Sequence, residues 1–208
     1  MCQKHNPSGE YLGLSCDLTD DKRLKECITK IGDEFGPLCT LINNAGMIYD
    51  VSIDDSNINM DKLDTILDLN LKSQIKCVIY CIPYIKNTKK LHANIPCNVI
   101  NITSRASTFR TTGALTSLYS ATKFGLRGFN DCIFHDLREY GIKICNIMPG
   151  WVATPLINDV DKATKDTLVL KKMIQPNDIS HCINYVMNCS DTVCPLEILL
   201  VPQMIPKL

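Results

Sequence analysis

The sequence predicts an α/β fold, a parallel sheet with helices on both faces, built as a single domain over residues 1–208. Three observations predict it. Short apolar runs alternate along the chain with segments whose apolar residues recur at i, i+3, i+4 and i+7, the order that strand-helix-strand units produce. The runs at 38–42, 97–103 and 142–148 are short and mainly apolar, which is how a strand covered by helices on both faces reads. The chain has 208 residues, 45% hydrophobic and 21% charged, with no internal repeat and no low-complexity linker, so one core is enough.

Taken in order, residues 1–10 carry no periodicity and 11–16 read as a short strand ending at Asp17-Leu18-Thr19. Thr19 or Asp20 then caps a helix in which Leu24, Cys27, Ile28, Ile31 and Phe35 keep the helical rhythm, and Gly36-Pro37 stops it. Residues 38–42 form the next strand, buried on both faces, and Asn43-Asn-Ala-Gly46 forms the turn that leaves it. The longest helical pattern spans 60–87, with Leu63, Ile66, Leu67, Leu71, Ile75, Val78, Ile79 and Ile82 on one side. Asn70 and Gln74 share that side. A buried amide without a partner costs about 1–3 kcal/mol, so Asn70 is expected to hydrogen-bond in the interior. Pro83 is expected to kink or shorten the end of this helix. After a polar loop with Lys89, Lys90 and His92 comes the strand at 97–103, then a helix carrying Tyr119 that runs to about Tyr140 and stops at Gly141. The strand at 142–148 leads into Pro149-Gly150. A polar helical excursion at 157–172, a capped helix at 177–188 after Pro176 and a last strand at 196–201 complete the chain.

Composition narrows the function. Lys plus Arg and Asp plus Glu both number 22, which offers no positive field to nucleic acid or an anionic membrane. No apolar run approaches the ~18 residues of a membrane span, and the polar start has no apolar leader core, so a cytoplasmic protein without an integral membrane segment is expected. The 12 cysteines are scattered without a Cys-x-x-Cys pair, and Cys27, Cys77, Cys81, Cys132 and Cys145 fall at apolar periodic positions. They read as buried free thiols of a reducing compartment, with no metal site. The Asn101-Ile-Thr and Asn188-Cys-Ser glycosylation patterns are expected to go unused, the first because it lies at a buried strand end.

The chemistry gathers at Tyr119-Ser-Ala-Thr-Lys123, where a phenol and an ammonium lie four residues apart on one helix face. A phenol titrates near ~10 unperturbed, and a nearby cation lowers that value, which makes a tyrosine serviceable as a general acid or base. The same spacing also describes a solvated surface pair. What argues for a site is a serine at the end of a strand upstream, Asn101-Ile-Thr-Ser104, and the turn Pro149-Gly150-Trp-Val-Ala-Thr154 downstream.

Asn43-Asn-Ala-Gly46, the helix-borne Asn70, Asn101-x-x-Ser104, Tyr119-x-x-x-Lys123 and Pro149-Gly150-x-Val152-x-Thr154 stand in the order and spacing of the classical short-chain dehydrogenase/reductases. The resemblance covers nearly all of the chain from about Tyr11. The gap from Ser104 to Tyr119, the Ile-Thr-Ser entry and Gln175-Pro-Asn-Asp-Ile look most like the branch of farnesol dehydrogenase and the hydroxysteroid dehydrogenase-like "dehydrogenase/reductase member 11". It implies a Rossmann-like, doubly wound sheet and an NADP(H)-dependent oxidoreductase that interconverts an alcohol and its carbonyl compound, with NAD(H) also open. Tyr119 would exchange a proton with the substrate oxygen, and Lys123 would lower the phenol's pKa and hold the nicotinamide ribose. Ser104 would hydrogen-bond the carbonyl oxygen, and Asn70 would anchor a water of the proton path. Asp17 with Leu18 would contact the adenine, Asn43, Ala45 and Gly46 would pack along the adenosine ribose, and Pro149, Gly150, Val152 and Thr154 would cover the nicotinamide. The resemblance also implies a homo-dimer or tetramer on the 60–87 and 119–140 helices, with Ile79, Phe129 and Ile133 available for contact. Phe109, Leu115, Trp151, Leu156 and Ile157 suggest an apolar pocket, hence a small lipophilic alcohol or ketone.

Each assigned residue also has a plain structural role open to it. Asp17 can flank a helix, Asn43 and Gly46 can serve turn geometry, Ser104 can end a strand and Asn70 can be a satisfied buried amide. One family feature is absent from the sequence, the Thr-Gly-x-x-x-Gly-x-Gly turn that receives the pyrophosphate. The expectation is therefore a sheet lacking its first strand-helix-strand unit, with a hole between the strands at 11–16 and 38–42. The alternative function is a non-catalytic binding or oligomerisation module.

Overall fold

A computed structural model describes residues 10–48, 58–108, 117–159 and 173–203. Four parallel strands form one sheet in the order β1-β2-β3-β4: Thr40–Asn43, Cys97–Ile102, Ile142–Pro149 and Glu197–Leu200. Their registers align Asn43 with Asn101 and Asn101 with Asn146, so one row of asparagines crosses three strands on one face. The helices are α1 (Asp21–Lys30), α2 (Met60–Leu67), α3 (Ser73–Leu91), α4 (Ser117–Leu137) and α5 (Pro176–Asn188).

Strand alternation sends side chains to two cores. On one face Val99, Ile142 and Ile144 pack with Leu24 and Ile28 of α1, Cys77, Val78, Cys81 and Ile85 of α3, and Leu137 of α4. On the other, Ile100, Cys145 and Ile147 pack with Val186 of α5. This is the predicted α/β architecture, with helices on both faces of a parallel sheet.

Local signals explain the boundaries. Asp20, not Thr19, caps α1 by accepting from the Arg23 amide at 3.1 Å, and the helix continues through a π turn, Ile31–Phe35, to Gly36. Helix α4 passes through a 3₁₀ turn and stops at Gly141, whose φ of 67° suits a residue without Cβ. Gln175 precedes α5, its amide donating to Asp178 Oδ2 at 2.8 Å, with Pro176 as the first helical residue where its missing N–H costs nothing.

Several expectations need correction. Residues 11–16 belong to no strand, because a strand exists only through a ladder partner and none of the described strands lies beside them. No described strand stands on the far side of the expected hole, and the four strands are contiguous with β1 as an edge. Ile42, expected to be covered on both faces, is 42% exposed. Pro83 does not shorten its helix, which runs to Leu91. Pro83 and Ile79, whose carbonyl loses its partner, are both exposed, so the missing hydrogen bond falls on the water side. The stripe expected over 60–87 also slips in phase. A π turn at Asp68–Lys72 inserts extra backbone, which buries Cys77 and Cys81 and turns Ile79 outward to 56% exposure. Phe129 and Ile133 pack against their own core instead of standing free. Cys132 is exposed, while Cys77, Cys81, Cys97 and Cys145 are buried, and all cysteines among the described residues are free thiols. Asn101 is fully buried. Of the excursion expected at 157–172, residues 157–159 end a 3₁₀ turn, Pro155–Asp159, and the remainder, with Phe109 and Leu115, lies outside the described residues.

Candidate active site

In parallel α/β sheets the carboxyl ends of the strands form the binding crevice. Asn43 ends β1, Ser104 follows β2 and Pro149-Gly150 ends β3, so three sequence motifs meet on that edge. The turn after β1 has no regular secondary structure, and side chains supply its hydrogen bonds. Gln74 Nε2 donates to the Ala45 carbonyl at 3.0 Å. Asn70 Oδ1 accepts from the Met47 amide and Asn70 Nδ2 donates to the Met47 carbonyl, both at 2.8 Å. Asn43 Nδ2 donates to the Gln74 carbonyl at 3.1 Å and to Asn101 Oδ1 at 2.8 Å. The expected interior partner of Asn70 is thus the backbone of this turn.

Gly46 is where the turn touches the site. A Cβ there would lie 3.2 Å from Asn70 Oδ1, closer than most side chains come, and 3.6 Å from Lys123 Nζ, an ordinary contact distance, so the turn packs tightly on Asn70 beside the ammonium. From α4, Lys123 Nζ donates to the Ile102 carbonyl at 3.1 Å and lies 5.7 Å from the centroid of the Tyr119 ring. Lys123 is only 4% exposed, which removes the solvated-pair reading. Between them Thr122 donates to the Tyr119 carbonyl at 2.7 Å and accepts from Asn70 Nδ2 at 3.4 Å.

Burial pulls the Lys123 ammonium down to about 8. Burial also pushes the Tyr119 phenol above its ordinary value, and the opposing influence is a hydrogen bond with Ser104. Desolvation outweighs that hydrogen bond, so Tyr119 stands as a neutral phenol, a proton donor. Ser104 Oγ accepts from the Ala106 amide at 3.1 Å, which leaves its own proton to give.

The structure therefore brings together Asn70, Ser104, Tyr119 and Lys123 around Gly46, Ala45 and Asn43. Pro149, Gly150, Val152 and Thr154 form the neighbouring turn, tied to β4 by the Gly150 amide on the Leu200 carbonyl at 2.7 Å and to Ile174 by a bridge from Val152. Trp151, Leu156 and Ile157 are half-buried in the same stretch. Asp17 is exposed, and its Oδ1 accepts from the Thr19 amide and hydroxyl at 2.9 and 2.8 Å within its own turn. Those hydrogen bonds hold the carboxyl below its usual range. Leu18 packs against the core. Sequence reasoning gave no role to Gln74 or Thr122, whose only signal was a polar side chain on a buried helix face.

The residues fit the nicotinamide riboside half of a dinucleotide. Lys123 Nζ spends one proton on Ile102 and keeps two directed donors for ribose hydroxyls, beside a backbone that Gly46 leaves open. Among the described residues no three His, Cys, Asp or Glu side chains are grouped as metal ligands, and no helix is long and apolar enough to cross a membrane.

A parallel α/β sheet with a half-buried tyrosine, a buried lysine and a serine at its carboxyl edge defines a protein of the dinucleotide-dependent oxidoreductase class. The short chain dehydrogenase family model matches residues 1–165, and the chain belongs to that family of oxidoreductases. It is 27% identical over 171 residues to an uncharacterized oxidoreductase of Staphylococcus saprophyticus, covering 82% of this chain and 66% of that one. It is 31% identical to the D-beta-hydroxybutyrate dehydrogenase of Rhizobium meliloti over 154 residues, 72% of this chain and 54% of the relative. A 15-hydroxyprostaglandin dehydrogenase [NAD(+)] of Rattus norvegicus is 30% identical over 154 residues, 73% of this chain and 52% of its own. The chain thus spans between half and two thirds of these relatives. A metagenomic short-chain oxidoreductase in complex with NADP shares the fold at a TM-score of 0.75 and 20% identity, over 98% of this chain and 79% of that one. The ligand-free aldohexose dehydrogenase of Thermoplasma acidophilum does so at 0.77 and 20%, over 98% and 85%.

Proposed function

We propose that this chain carries the active site of an NADP(H)-dependent oxidoreductase that interconverts a small lipophilic alcohol and its carbonyl compound. The observation that carries this reading is the convergence of a half-buried neutral phenol, a buried ammonium and a serine hydroxyl at the carboxyl edge of the sheet. A bound nicotinamide would supply or accept the hydride. Tyr119 gives its phenolic proton to the carbonyl oxygen in reduction and takes it back in oxidation, while Ser104 donates a hydrogen bond to the same oxygen as charge grows there. Lys123 orients the nicotinamide ribose, and Asn70 holds the turn at Met47 against it while anchoring a water of the proton path. Asp17 and Leu18 at the adenine, Asn43, Ala45 and Gly46 along the ribose, and Pro149, Gly150, Val152 and Thr154 over the nicotinamide complete the cofactor contacts. NADP is the ligand of one structural neighbour and NAD(+) stands in the name of one relative, so both nicotinamides belong in the assay.

The test is nicotinamide consumption with a panel of apolar ketones, comparing the wild-type chain with Tyr119→Phe. The variant is expected to lose reduction while keeping its affinity for cofactor. Activity within about tenfold of wild type, a barrier change of only about 1.4 kcal/mol, would overturn the assignment.

The second reading, a non-catalytic binding or oligomerisation module, draws on the absence of a Gly-rich phosphate turn from the 208 residues. Calorimetric titration with NADPH discriminates. Micromolar binding supports the enzyme, whereas a cooperatively melting chain that binds none supports the module. We further propose a cytoplasmic homo-dimer or tetramer, supported by free thiols throughout the described residues and by Ile79 and Phe124 standing 56% and 46% exposed on α3 and α4.

A further inference from the structure

Ser104 and Tyr119 lie on different elements, and their spacing needs a structural link. Ser104 begins a short 3₁₀ turn, Arg105–Ser107, that is held together internally. The Ser107 amide and hydroxyl both donate to the Ser104 carbonyl, at 2.9 and 2.6 Å, and Ser107 is fully buried. These bonds make the turn a unit without placing it against α4. Arg127 does that. It lies on α4 in the i, i+4, i+8 series with Tyr119 and Lys123, and its Nη1 donates to the Ser107 carbonyl at 3.2 Å. Apart from the Ser104–Tyr119 contact itself, this is the only side-chain hydrogen bond from α4 to the turn among the described residues.

The guanidinium is itself held. Its Nε and Nη2 meet the two carboxylate oxygens of Glu197 on β4, the Nη2–Oε2 distance being 3.1 Å, and the two side chains are 30% and 31% exposed. A two-point pair fixes both the position and the plane of the guanidinium, which directs Nη1 at Ser107. Glu197 is 70 residues from Arg127 in the chain, and the pair joins the helix of the phenol to the far strand of the sheet.

We propose that Arg127, oriented by Glu197, is a positioning residue that sets the Ser104 hydroxyl against the Tyr119 phenol. It acts through the turn and touches no reacting atom. The inference rests on the reading that Ser104 and Tyr119 share one substrate oxygen, and the experiment separates the two.

The full chain is labelled with [13Cζ]-tyrosine, and the Tyr119 resonance is assigned by its disappearance in Tyr119→Phe. Ser104→Ala is expected to displace that resonance, and Arg127→Met to displace it in the same direction by at least half as much. In the double variant Arg127→Met is expected to add nothing. Arg127→Lys, which keeps the charge but cannot serve Glu197 and Ser107 together, is expected to fall between wild type and Arg127→Met. A role confined to general stability would instead give additive displacements. Glu197→Gln, milder than Arg127→Met, provides the same comparison if the latter fails to fold, and should also displace the resonance only when Ser104 is present. If Ser104→Ala moves the resonance and neither Arg127→Met nor Glu197→Gln does, or if their effects persist in Ser104→Ala, the inference is overturned alone. If Ser104→Ala leaves the resonance unmoved, the shared-oxygen reading falls, and the inference with it.

Discussion

Lys123 should be a costly residue in the fold, and the cost can be read as a function of pH. Burial lowers its pKa from 10.5 to about 8. At about 1.4 kcal/mol per unit, the folded chain pays about 3 kcal/mol to keep this ammonium charged. The sign follows from proton counting. Below about 8 the lysine is protonated in both states and the folded state bears the whole cost. Between about 8 and 10.5 the unfolded chain holds a proton that the folded chain has released, so stability rises with pH. Above 10.5 the cost is gone. Lys123→Met removes the group, and also leaves the Ile102 carbonyl without its donor, a loss of about 1 kcal/mol. The variant is therefore expected to be more stable than wild type by about 2 kcal/mol at pH 7. It should lose that advantage by pH 10.5 and end slightly the less stable. Urea unfolding of both chains at intervals from pH 7 to 10.5 measures it, because every other titrating group cancels in the difference. A difference that stays flat across the window would refute the argument, as would a wild-type chain that is the more stable at pH 7. A chain that tolerates such a group gives up stability for a function, here two donors beside Gly46.

Asn70→Ala should destabilise the chain by about 2–3 kcal/mol, since the amide and carbonyl of Met47 both lose their partner in a site that Asn70 fills at 0% exposure. By thermal melting that is a drop of roughly 4–12 °C, and a shift below about 1 °C would contradict it. Pro83→Ala should stabilise by about 1–2 kcal/mol, because it restores a helical N–H at an exposed position where the backbone already follows the helix. An unchanged or lowered denaturation midpoint would show that Pro83 contributes packing of its own.

The legibility of the sequence varied for physical reasons. Strands β2 and β3 were readable because both are covered by helices, and burial on both faces writes a short, mainly apolar run in place of alternation. The run ending at Ile42 has the same pattern, but burial on both faces is a property of the sheet around a strand, and there β1 is an edge. Residues 11–16 failed for a related reason, since pairing needs two segments and sequence shows only one. The long helix was legible in extent and wrong in phase. Periodicity assumes 3.6 residues per turn throughout, and the π turn at Asp68–Lys72 breaks that assumption in the middle. In the site, Tyr119 and Lys123 were readable from i, i+4 spacing, yet the direction of the phenol's shift was not. That direction depends on desolvation by neighbours that no local pattern reports. Arg127 continues that i, i+4 series, but its partner Glu197 lies 70 residues away and no local spacing points to it.

The amides that puzzled the apolar pattern account for one another. Residues 43–47 run between a strand and a helix without regular structure, so their backbone groups need side-chain partners or water. Asn70 satisfies Met47 and Gln74 satisfies Ala45, while Asn43 returns a bond to the Gln74 carbonyl. Asn70 and Gln74 stand on one helix face because they are four residues apart, and an apolar side chain at either place would strand a buried carbonyl or amide. The close approach at Gly46 follows from this: the turn is held from two sides by side chains, which brings its backbone tightly onto Asn70 and beside Lys123. Loss of any one of these amides should therefore loosen the Lys123 end of the site before it disturbs the two apolar cores.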